Sequence, residues 1–495
     1  MTMLSLHIAG AENAASDAAT TPVHSPWDHR HLFDVAHATA QDVDRAVAAA
    51  ATAFRDGRWW RQRARERARV LTKAAELLAD AVEELAELET AQTGRPVREM
   101  RSQLARLPEW FEYFGALAQV DEGRLPDLGA GRINLVRRRP LGVAALITPW
   151  NHPLLITVKK LSAAVAAGNS VVLKPSELAP AGPLRLVRLL EEAGVPAGVV
   201  NVVTGLGQTT GKALVEHPLV DRIDVTGGTP TGRVVAAIAG DRLIPVTAEL
   251  GGKAPVIVLP DADLDQAVAG ALFASYIATG QTCVQGARIL VHESIRAEFE
   301  ERFATRARAL RLGDPADRRT QVGPLISQRQ REQTVEAVTR AVAHDARLVC
   351  GGRIPDVPGH GWFYEPTLLA DVTPEMDIWT EEVFGPVSVL RTFTTDAEAA
   401  EQANDSPFGL AASIWTSDAA RALRLVDELD IGIVWVNDHH RVDPASPWGG
   451  TKDSGIGSEN AREALIANTR VQSTIVNVDD DLFDWFSTTS DLRYS

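Results

Sequence analysis

Residues 143–174 read VAALITPWNHPLLITVKKLSAAVAAGNSVVLK, and this stretch decides the fold class. The short apolar runs at 143–148 and 171–174 are rich in Val, Ala and Leu and predict buried strands. The longer apolar stretch at 153–167 begins with a proline, a residue common in the first turn of a helix. A strand, a helix and a second strand in this order predict two parallel strands joined by a crossover helix.

The same alternation extends to residue 250 and predicts one parallel sheet with helices on both faces. Further strands are predicted at 199–203, 222–225 and 244–248. Further helices are predicted at 181–193, 208–217 and 230–239. A second α/β set runs from 255 to about 435, so domain boundaries are expected near 250 and near 470.

The N-terminal part is predicted to be less regular. Residues 1–40 predict an arm with short strands, and 41–55 predict a capped helix. A long helix with ion pairs on its outer face is predicted over 61–93, and another helix over 101–118. Apolar and polar residues alternate at 132–140, which predicts an exposed strand or one that bridges subunits.

Composition excludes several functional classes. The chain has 495 residues, too many for one ordinary core, and a formal charge of −15. That charge argues against a binder of nucleic acid or anionic membranes, because both need basic surfaces. We find no apolar run of membrane-spanning length, no secretory signal and no metal-binding spacing of His and Cys. The only cysteines are Cys283 and Cys350, so we expect a reducing cytoplasm.

Residues 280–288, GQTCVQGAR, contain the candidate nucleophile Cys283 between two glycines. The segment lies between a predicted helix and a predicted strand, where a loop can present a side chain to a pocket. A thiolate there is a good nucleophile, and its own backbone N–H can hold a developing oxyanion. The alternative is a small buried apolar side chain, which is how a free cysteine usually behaves.

Polar residues follow three of the predicted strands, at the edge where parallel sheets bind ligands. Asn151 offers neutral N–H donors for an oxyanion, although an Asx turn is the alternative. Lys174 and Glu177 suit the hydroxyls of a nucleotide ribose, although a surface ion pair is the alternative. Glu249 precedes two glycines and suits a general base, unless it is paired with Lys253.

Four glycine-containing turns complete the set of candidate sites. The turn at 205–211, GLGQTTG, lacks the strict dinucleotide fingerprint, whereas 226–230, TGGTP, places N–H groups before a helix that can bind a pyrophosphate. Residues 381–386, EEVFGP, supply a carboxylate and an aromatic ring, and 446–455, SPWGGTKDSG, supply one large aromatic side chain. The last of these turns, 446–455, is a pocket wall or a plain packed turn.

These motifs occur in the order found in the NAD(P)-dependent aldehyde dehydrogenase superfamily, which the sequence resembles from about residue 20 to 475. The resemblance implies an α/β fold with a Rossmann-like cofactor domain, an α/β catalytic domain and a small β oligomerisation arm. The implied cofactor domain covers 1–119 and 141–250, and the catalytic domain covers 251–453. The arm and C-terminal tail cover 120–140 and 454–495.

The resemblance also implies a role for individual residues. The implied catalytic residues are Cys283, Asn151, Glu249 and the proton-relay pair Lys160 and Glu459. The implied cofactor contacts are Trp150, Lys174, Ser176, Glu177, Gly207, Gly211, Thr226, Gly227, Gly228, Leu250, Glu382 and Phe384. The implied substrate pocket consists of His152, Ile156, Lys159, Thr282, Val284, Val442 and Trp448.

Several positions depart from the family pattern. Gly228 stands where many relatives have Ser, and Ser458 stands where they have Arg in a subunit contact. Lys159 stands where many relatives have Trp in the substrate tunnel, and His152 where an aromatic residue is common. We expect the charge of Lys159 to disfavour cationic aldehydes and to favour polar or carboxylate-bearing ones. The alternative is that Lys159 faces solvent or pairs with an acid.

The expected function is the oxidation of an aldehyde to a carboxylic acid with NAD through a cysteine thiohemiacetal and thioester. Glu177 favours NAD over NADP, although relatives with the same motif use both. One competing function is an acylating dehydrogenase that passes the acyl group to coenzyme A, and Glu249 argues against it. The other is a non-catalytic binding protein. The expected partners are a small aldehyde and copies of the chain in a homodimer or homotetramer, with no nucleic acid and no membrane.

Overall fold

Two sheets that are mainly parallel organise the chain, in a computed structural model that describes residues 3–478 and residue 486. The first sheet has eight strands, and the five at its centre are parallel. In spatial order they are Gly455–Ile456, Val246–Glu249, Arg222–Thr226, Val143–Ile147, Ser170–Lys174, Val200–Val202, Leu6–Ile8 and Ala11–Asn13. The predicted strands are present, and their ends differ from the predicted ones by at most two residues.

Helices cover both faces of this sheet. They are Ala40–Asp56, Ala64–Asp80, Val82–Thr93, Val97–Leu104, Pro108–Val120, Pro153–Ala167, Ala181–Ala193, Lys212–Glu216 and Thr229–Asp241, with a π-helical turn at Gly207–Gly211. The prediction of one long helix over 61–93 is wrong. The segment forms two helices, Ala64–Asp80 and Val82–Thr93, because the backbone of Ala81 between them is not helical. The predicted helix over 101–118 is also two helices, since Pro108 has no N–H and starts the second one.

The second sheet has seven strands and begins directly after the first. In spatial order they are Arg347–Cys350, Thr367–Ala370, Val387–Phe393, Arg288–His292, Pro255–Val258, Ala411–Trp415 and Ile433–Val436. Only Arg347–Cys350 is antiparallel to its neighbour. The accompanying helices are Leu264–Tyr276, Ile277–Gly280, Glu293–Ile295, Arg296–Arg308, Gln328–Ala343, Asp377–Thr380, Asp396–Asn404 and Ala419–Val426.

A long two-stranded ribbon projects from the first sheet. Arg132–Pro140 pairs antiparallel with Thr469–Asn477 over its whole length. The predicted C-terminal arm started at 454, but Gly455–Ile456 pairs with the first sheet and the helix Ala461–Ala467 packs against Pro153–Ala167. The ribbon therefore begins at Thr469 in the described chain, and the rest of the predicted tail, 479–485 and 487–495, lies outside the described residues.

Smaller elements close the ends of the structure. Met3–Leu4, His31–Ala36 and Thr20–His24 form a three-stranded sheet, and Phe408–Gly409 pairs with Thr451–Lys452. The last strand of the first sheet ends at Glu249 and the first strand of the second sheet begins at Pro255, so a short connection joins the two sheets beside the candidate site. Among the described helices, none is long and apolar enough to cross a membrane.

Candidate active site

The loop that carries Cys283 is strained and is held by hydrogen bonds to the residues around it. Ala278 and Thr279 have positive φ angles of 53° and 57°, which cost about 1–3 kcal/mol each for residues other than glycine. Gly280 has φ +72°, and a Cβ there would lie 2.2 Å from the Gly385 carbonyl oxygen. Gln285 Nε2 donates to the carbonyl oxygens of Ser275 and Gly385 at 3.0 and 2.8 Å. The surroundings therefore fix the loop despite its strain.

Cys283 is half-buried at the end of this loop. Burial raises the pKa of its thiol to about 12, and the carboxylates of Glu382 and Glu249 contribute to the rise. Its backbone N–H has no hydrogen-bond partner among the described residues. A Cβ on Gly252 would lie 2.1 Å from the Cys283 carbonyl oxygen, so only glycine permits this approach. The N–H of Cys283 is thus available as a donor to a ligand.

Asn151 is buried beside the Cys283 loop and its amide is oriented by that loop. Its Nδ2 donates to the Gln281 carbonyl oxygen at 2.9 Å, which leaves its second N–H for another acceptor. The backbone carbonyl of Asn151 accepts from Arg95 Nη1 at 3.1 Å. The helix begins at Pro153, so Asn151 lies just before the helix that carries Lys159.

Glu249 ends its strand as a buried carboxylate whose two oxygens have no hydrogen-bond partner among the described residues. Burial raises its pKa well above the usual value, and the carboxylate of Glu459 adds to the rise. The alternative ion pair with Lys253 is not formed among the described residues. Lys253 instead lies near Arg288 and Glu382, where burial lowers its pKa to about 7. An unpaired buried carboxylate is typical of a group that accepts protons during a reaction.

A buried ionic cluster lies behind Glu249. The ammonium of Lys160 contacts both Asp224 and Glu459, which brings the predicted pair together. Lys159 Nζ lies 2.7 Å from Glu459 Oε2, and Arg222 pairs with Asp224 at 3.1 Å. The two lysines hold the pKa of Glu459 at about 2, although burial alone would raise it. Glu459 is therefore ionised in the resting site, where its negative charge raises the pKa of Glu249.

Lys159 forms an ion pair with Glu459. Pairing with an acid was the alternative to the prediction that its charge selects the substrate. Its side chain is 1% exposed, and its ammonium lies 4.4 Å from the centre of the Trp448 ring. This distance is typical of a cation–π contact. The positive charge thus lies between Glu459 and one face of Trp448, and it still acts on Cys283, since it opposes the rise in the pKa of the thiol.

The substrate side of Cys283 is lined by two histidines, only one of which was predicted. His152 Nδ1 accepts from Arg95 Nη1 at 2.8 Å, so its Nε2 carries the proton and donates to Thr282 Oγ1 at 3.2 Å. Burial and the charge of Arg95 lower the pKa of His152 well below its usual value. The ring of His440 lies 5.6 Å from that of His152, and burial lowers its pKa to about 3. Both are neutral at physiological pH.

The remaining predicted pocket residues lie around the same loop. Val284 is buried against Trp435 and Trp448, and Val442 packs on this cluster together with Cys283. Ile156 is buried on the helix Pro153–Ala167. His439 was missed, and its Nε2 bonds to the Val284 carbonyl at 2.7 Å. No local pattern marks Arg95, His439 or His440 in the sequence, because each is remote from the loop it contacts.

Most of the predicted cofactor residues follow strands of the first sheet, and these strand ends form what we call the cofactor side of the site. Lys174 Nζ lies 3.5 Å from Glu177 Oε2, and burial lowers the pKa of Lys174. Ser176 is buried beside them, and a Cβ on Gly211 would contact the Lys174 stem at 3.9 Å. The hydroxyl of Thr226 is buried without a partner among the described residues. Lys174 and Thr226 end the two parallel strands that flank Val143–Ile147, so these groups lie at the carboxyl ends of strands of one sheet.

Open space and the chemistry of these groups fit a dinucleotide. A Cβ on Gly207 or Gly227 would meet no atom within 4 Å, so a ligand can approach the backbone there. Gly228 caps the helix Thr229–Asp241, whose first N–H groups suit a pyrophosphate. Leu250, beside them, packs closely over Gly232 of this helix.

The far end of the cofactor side is built around Glu382. Its Oε1 accepts from the Gly252 N–H at 2.8 Å, and burial raises its pKa to about 7. The ring of Trp150 meets that of Phe384 edge-on at 5.5 Å. Glu382 also raises the pKa of Cys283, so this end of the cofactor side reaches the nucleophile. Cys350, by contrast, is buried at the end of a strand of the second sheet, with Sγ 3.8 Å from the Pro366 carbonyl oxygen.

Comparisons with known proteins agree with this geometry. A sequence model of the aldehyde dehydrogenase family matches residues 13–474. A betaine aldehyde dehydrogenase of Brucella anthropi is 38% identical over 474 residues, 95% of this chain and 96% of that protein. A betaine aldehyde dehydrogenase of Staphylococcus aureus, crystallised with NAD+, has a TM-score of 0.95 at 36% identity, covering 98% of this chain and 96% of that chain. An NAD-dependent aldehyde dehydrogenase of Sinorhizobium meliloti has a TM-score of 0.95 at 37% identity, covering 98% and 97%.

Proposed function

The chain belongs to the aldehyde dehydrogenase family, and on that premise we propose that Cys283 is the nucleophile with which it oxidises an aldehyde to a carboxylic acid. The family and fold predicted from the sequence are confirmed. One observation carries the assignment of Cys283: its loop orients the Asn151 amide, while Glu249 lies close enough to act on the pKa of the thiol. The Asn151 amide, as a donor to an oxyanion, and Glu249, as a base, therefore both lie near the sulfur of Cys283.

Each step of the reaction has a residue to perform it. The thiolate of Cys283 adds to the aldehyde carbon, and the resulting oxyanion accepts from the Asn151 amide and the Cys283 N–H. NAD, when bound, supplies the acceptor for the hydride, whose loss leaves a thioester on Cys283. Glu249 then takes a proton from a water molecule that attacks the thioester carbon, which releases the acid and the thiolate.

The buried ionic cluster behind Glu249 can accept the proton that Glu249 takes from water. Glu249 holds the proton in a site where its pKa is raised by burial and by Glu459. Glu459 is bonded to Lys160, which also contacts Asp224. We assign Lys160 and Glu459 to the transfer of this proton away from the thioester site. Asp224 is a positioning residue that orients Lys160.

NAD is the proposed cofactor, held by the residues at the strand ends. Lys174 and Glu177 are placed to bind the adenosine ribose, with the pyrophosphate near Gly227 and the helix that starts at Thr229. Glu382 and Phe384 are placed for the nicotinamide ribose, next to Cys283. The carboxylate of Glu177 accepts from a free 2′-hydroxyl and repels a 2′-phosphate, which favours NAD over NADP.

Betaine aldehyde is a second candidate substrate, because relatives that are 38–40% identical bear the name betaine aldehyde dehydrogenase. Lys159 opposes this candidate, since its ammonium already lies against the Trp448 ring in the pocket. Coenzyme A is disfavoured as the acyl acceptor, because Glu249 is placed to deliver water instead. The substrate is therefore taken as an uncharged or anionic aldehyde.

We further propose that the chain works as a homodimer or homotetramer in the cytoplasm. The ribbon exposes apolar side chains on both strands, with Leu135 at 44%, Val471 at 54% and Ile475 at 62% exposure. Such a surface is typical of a contact with another subunit. Both cysteines are free thiols, which suits a reducing compartment. Light scattering at increasing protein concentration tests the assembly, and a monomer at micromolar concentration contradicts it.

A panel of aldehydes tests the reaction itself. The protein is incubated with NAD and each aldehyde, with and without coenzyme A, and NADH is followed by absorbance. We expect NADH and the free carboxylic acid in both cases. NADH that forms only when coenzyme A is present would replace the hydrolytic reaction with an acylating one.

A further inference from the structure

A cavity of about 680 Å³ lies on the substrate side of Cys283. Leu155, His440 and Val442 form the wall that it shares with the active site. Val442 packs on the same cluster as Cys283, and the ring of His440 stands against that of His152. Through this shared wall, a substrate with its aldehyde group at Cys283 can extend toward the cavity past His440 and Val442.

The charge of the cavity is opposite to that of the whole chain. Among the described residues, four arginines and one acidic side chain, that of Glu99, line it. The four are Arg95, Arg98, Arg106 and Arg306. This concentration of positive charge occurs in a chain with a formal charge of −15. A cavity lined by one sign of charge attracts ligands of the other sign.

Two of these arginines have no carboxylate partner among the described residues. Arg95 is paired with Glu99, and Arg106 is bonded to Glu109. Arg98 and Arg306 form no ion pair within residues 3–478, and Arg306 only donates to the backbone carbonyl of Asp265, at 3.3 Å. They lie on the helices Val97–Leu104 and Arg296–Arg308. Both side chains are exposed to solvent, so the cavity mouth carries positive charge that no carboxylate of residues 3–478 pairs with.

The rest of the lining is largely apolar. Trp110, Leu272, Phe273 and Ile277 line the cavity beside the arginines. Such a surface suits a hydrocarbon chain or ring that ends in an anionic group. Arginine matches a carboxylate in geometry as well as in charge, because its planar group donates two parallel hydrogen bonds.

We propose that the substrates of this enzyme are aldehydes that carry a carboxylate at the end remote from the aldehyde group, with Arg98 and Arg306 binding that carboxylate. The proposal rests on the proposed function and names the substrate class of the same site. Lys159 supports it independently, because its ammonium covers one face of Trp448 and leaves that face closed to a cationic substrate. The product of such a substrate is a dicarboxylic acid.

Matched pairs of substrates test the proposal. We compare 4-oxobutanoate, 6-oxohexanoate and 8-oxooctanoate with butanal, hexanal and octanal, and measure kcat and KM for each. The best oxo acid is expected to exceed the alkanal of equal length by about tenfold or more in kcat/KM, and to lose this advantage as salt is added. Equal kcat/KM values for the two series would overturn the proposal while leaving the proposed function intact.

Removal of the two arginines provides the second test. In the double variant Arg98→Gln/Arg306→Gln, the KM of the best oxo acid should rise about tenfold with kcat nearly unchanged, and the alkanal should keep both constants. Arg69→Gln, an exposed arginine outside the cavity, is the control for charge alone. Equal losses for oxo acid and alkanal would reveal a structural effect and overturn the proposal. Oxidation of neither series by the wild type would overturn the proposed function as well.

Discussion

Replacement of Lys159 by Met tests whether this residue sets the charge preference of the pocket. The ammonium lies 4.4 Å from the Trp448 ring centre and its side chain is 1% exposed, so this is a desolvated cation–π contact worth about 2 kcal/mol. In Lys159→Met the ring face becomes open to a substrate cation. A gain of about 2 kcal/mol corresponds to roughly 30-fold in kcat/KM for a trimethylammonium aldehyde. The loss for an oxo acid should be smaller, because Glu459 already offsets part of the lysine charge.

The assay uses three rigid substrates of similar shape: 4-(trimethylammonio)benzaldehyde, 4-tert-butylbenzaldehyde and 4-formylbenzoate. The ratio of kcat/KM for the cation to that for the anion should rise at least about 30-fold in Lys159→Met. The neutral aldehyde controls for the change in shape, and Lys73→Met, at an exposed lysine, controls for the loss of one charge. A ratio within threefold of the wild type would refute the role of Lys159.

Further variants test the catalytic roles one at a time. Glu249→Gln should give a burst of about one NADH per subunit and a steady state slowed about 100-fold, because only thioester hydrolysis needs the base; loss of the burst would show that Glu249 acts earlier. NAD should exceed NADP in kcat/KM, and Glu177→Gln should narrow the difference; equal values in the wild type would reject the role of Glu177. The variant Cys350→Ala should keep the turnover of the wild type and leaves Cys283 as the thiol to be alkylated. The rate of alkylation of Cys283 should rise about tenfold per pH unit from pH 7 to 9, because a thiol with a pKa of about 12 gains thiolate over that whole range. A rate that reaches a plateau near pH 8 would contradict that pKa.

The sequence predicted the regular part of the fold because alternation and proline positions are local signals. The strands from Val143–Ile147 to Val246–Glu249 follow from short apolar runs, and the helix from Pro153 follows from its length and its first residue. The break at Ala81 has no such signal, since alanine favours helix, yet its φ of −91° and ψ of 1° end the helix there. The predicted helix over 61–93 was too long for that reason.

The site residues, too, could be predicted only where a local sequence signal marks them. Cys283, Asn151 and Glu249 stand beside glycines or at strand ends, so they could be selected from the sequence alone. The acid that neutralises Lys159 could not, because Glu459 lies 300 positions later in the chain. Arg98 and Arg306 come together only when two separate helices enclose one cavity. The residues proposed to perform the reaction are therefore recognisable from local sequence patterns. The residues proposed to select the substrate are brought together only by contacts between distant segments.

The central claim is that a thioester forms on Cys283 and that Glu249 promotes its hydrolysis. The mass of the peptide that contains Cys283, measured after the reaction is quenched, tests this claim. Glu249→Gln is mixed with NAD and the best aldehyde, quenched in acid and digested, and the peptide containing Cys283 is weighed. The account predicts an increase equal to the acyl group on that peptide, with no increase in Cys283→Ala/Glu249→Gln and none when NAD is omitted. An unmodified Cys283 peptide after the NADH burst, or an acyl group on another residue, would contradict it.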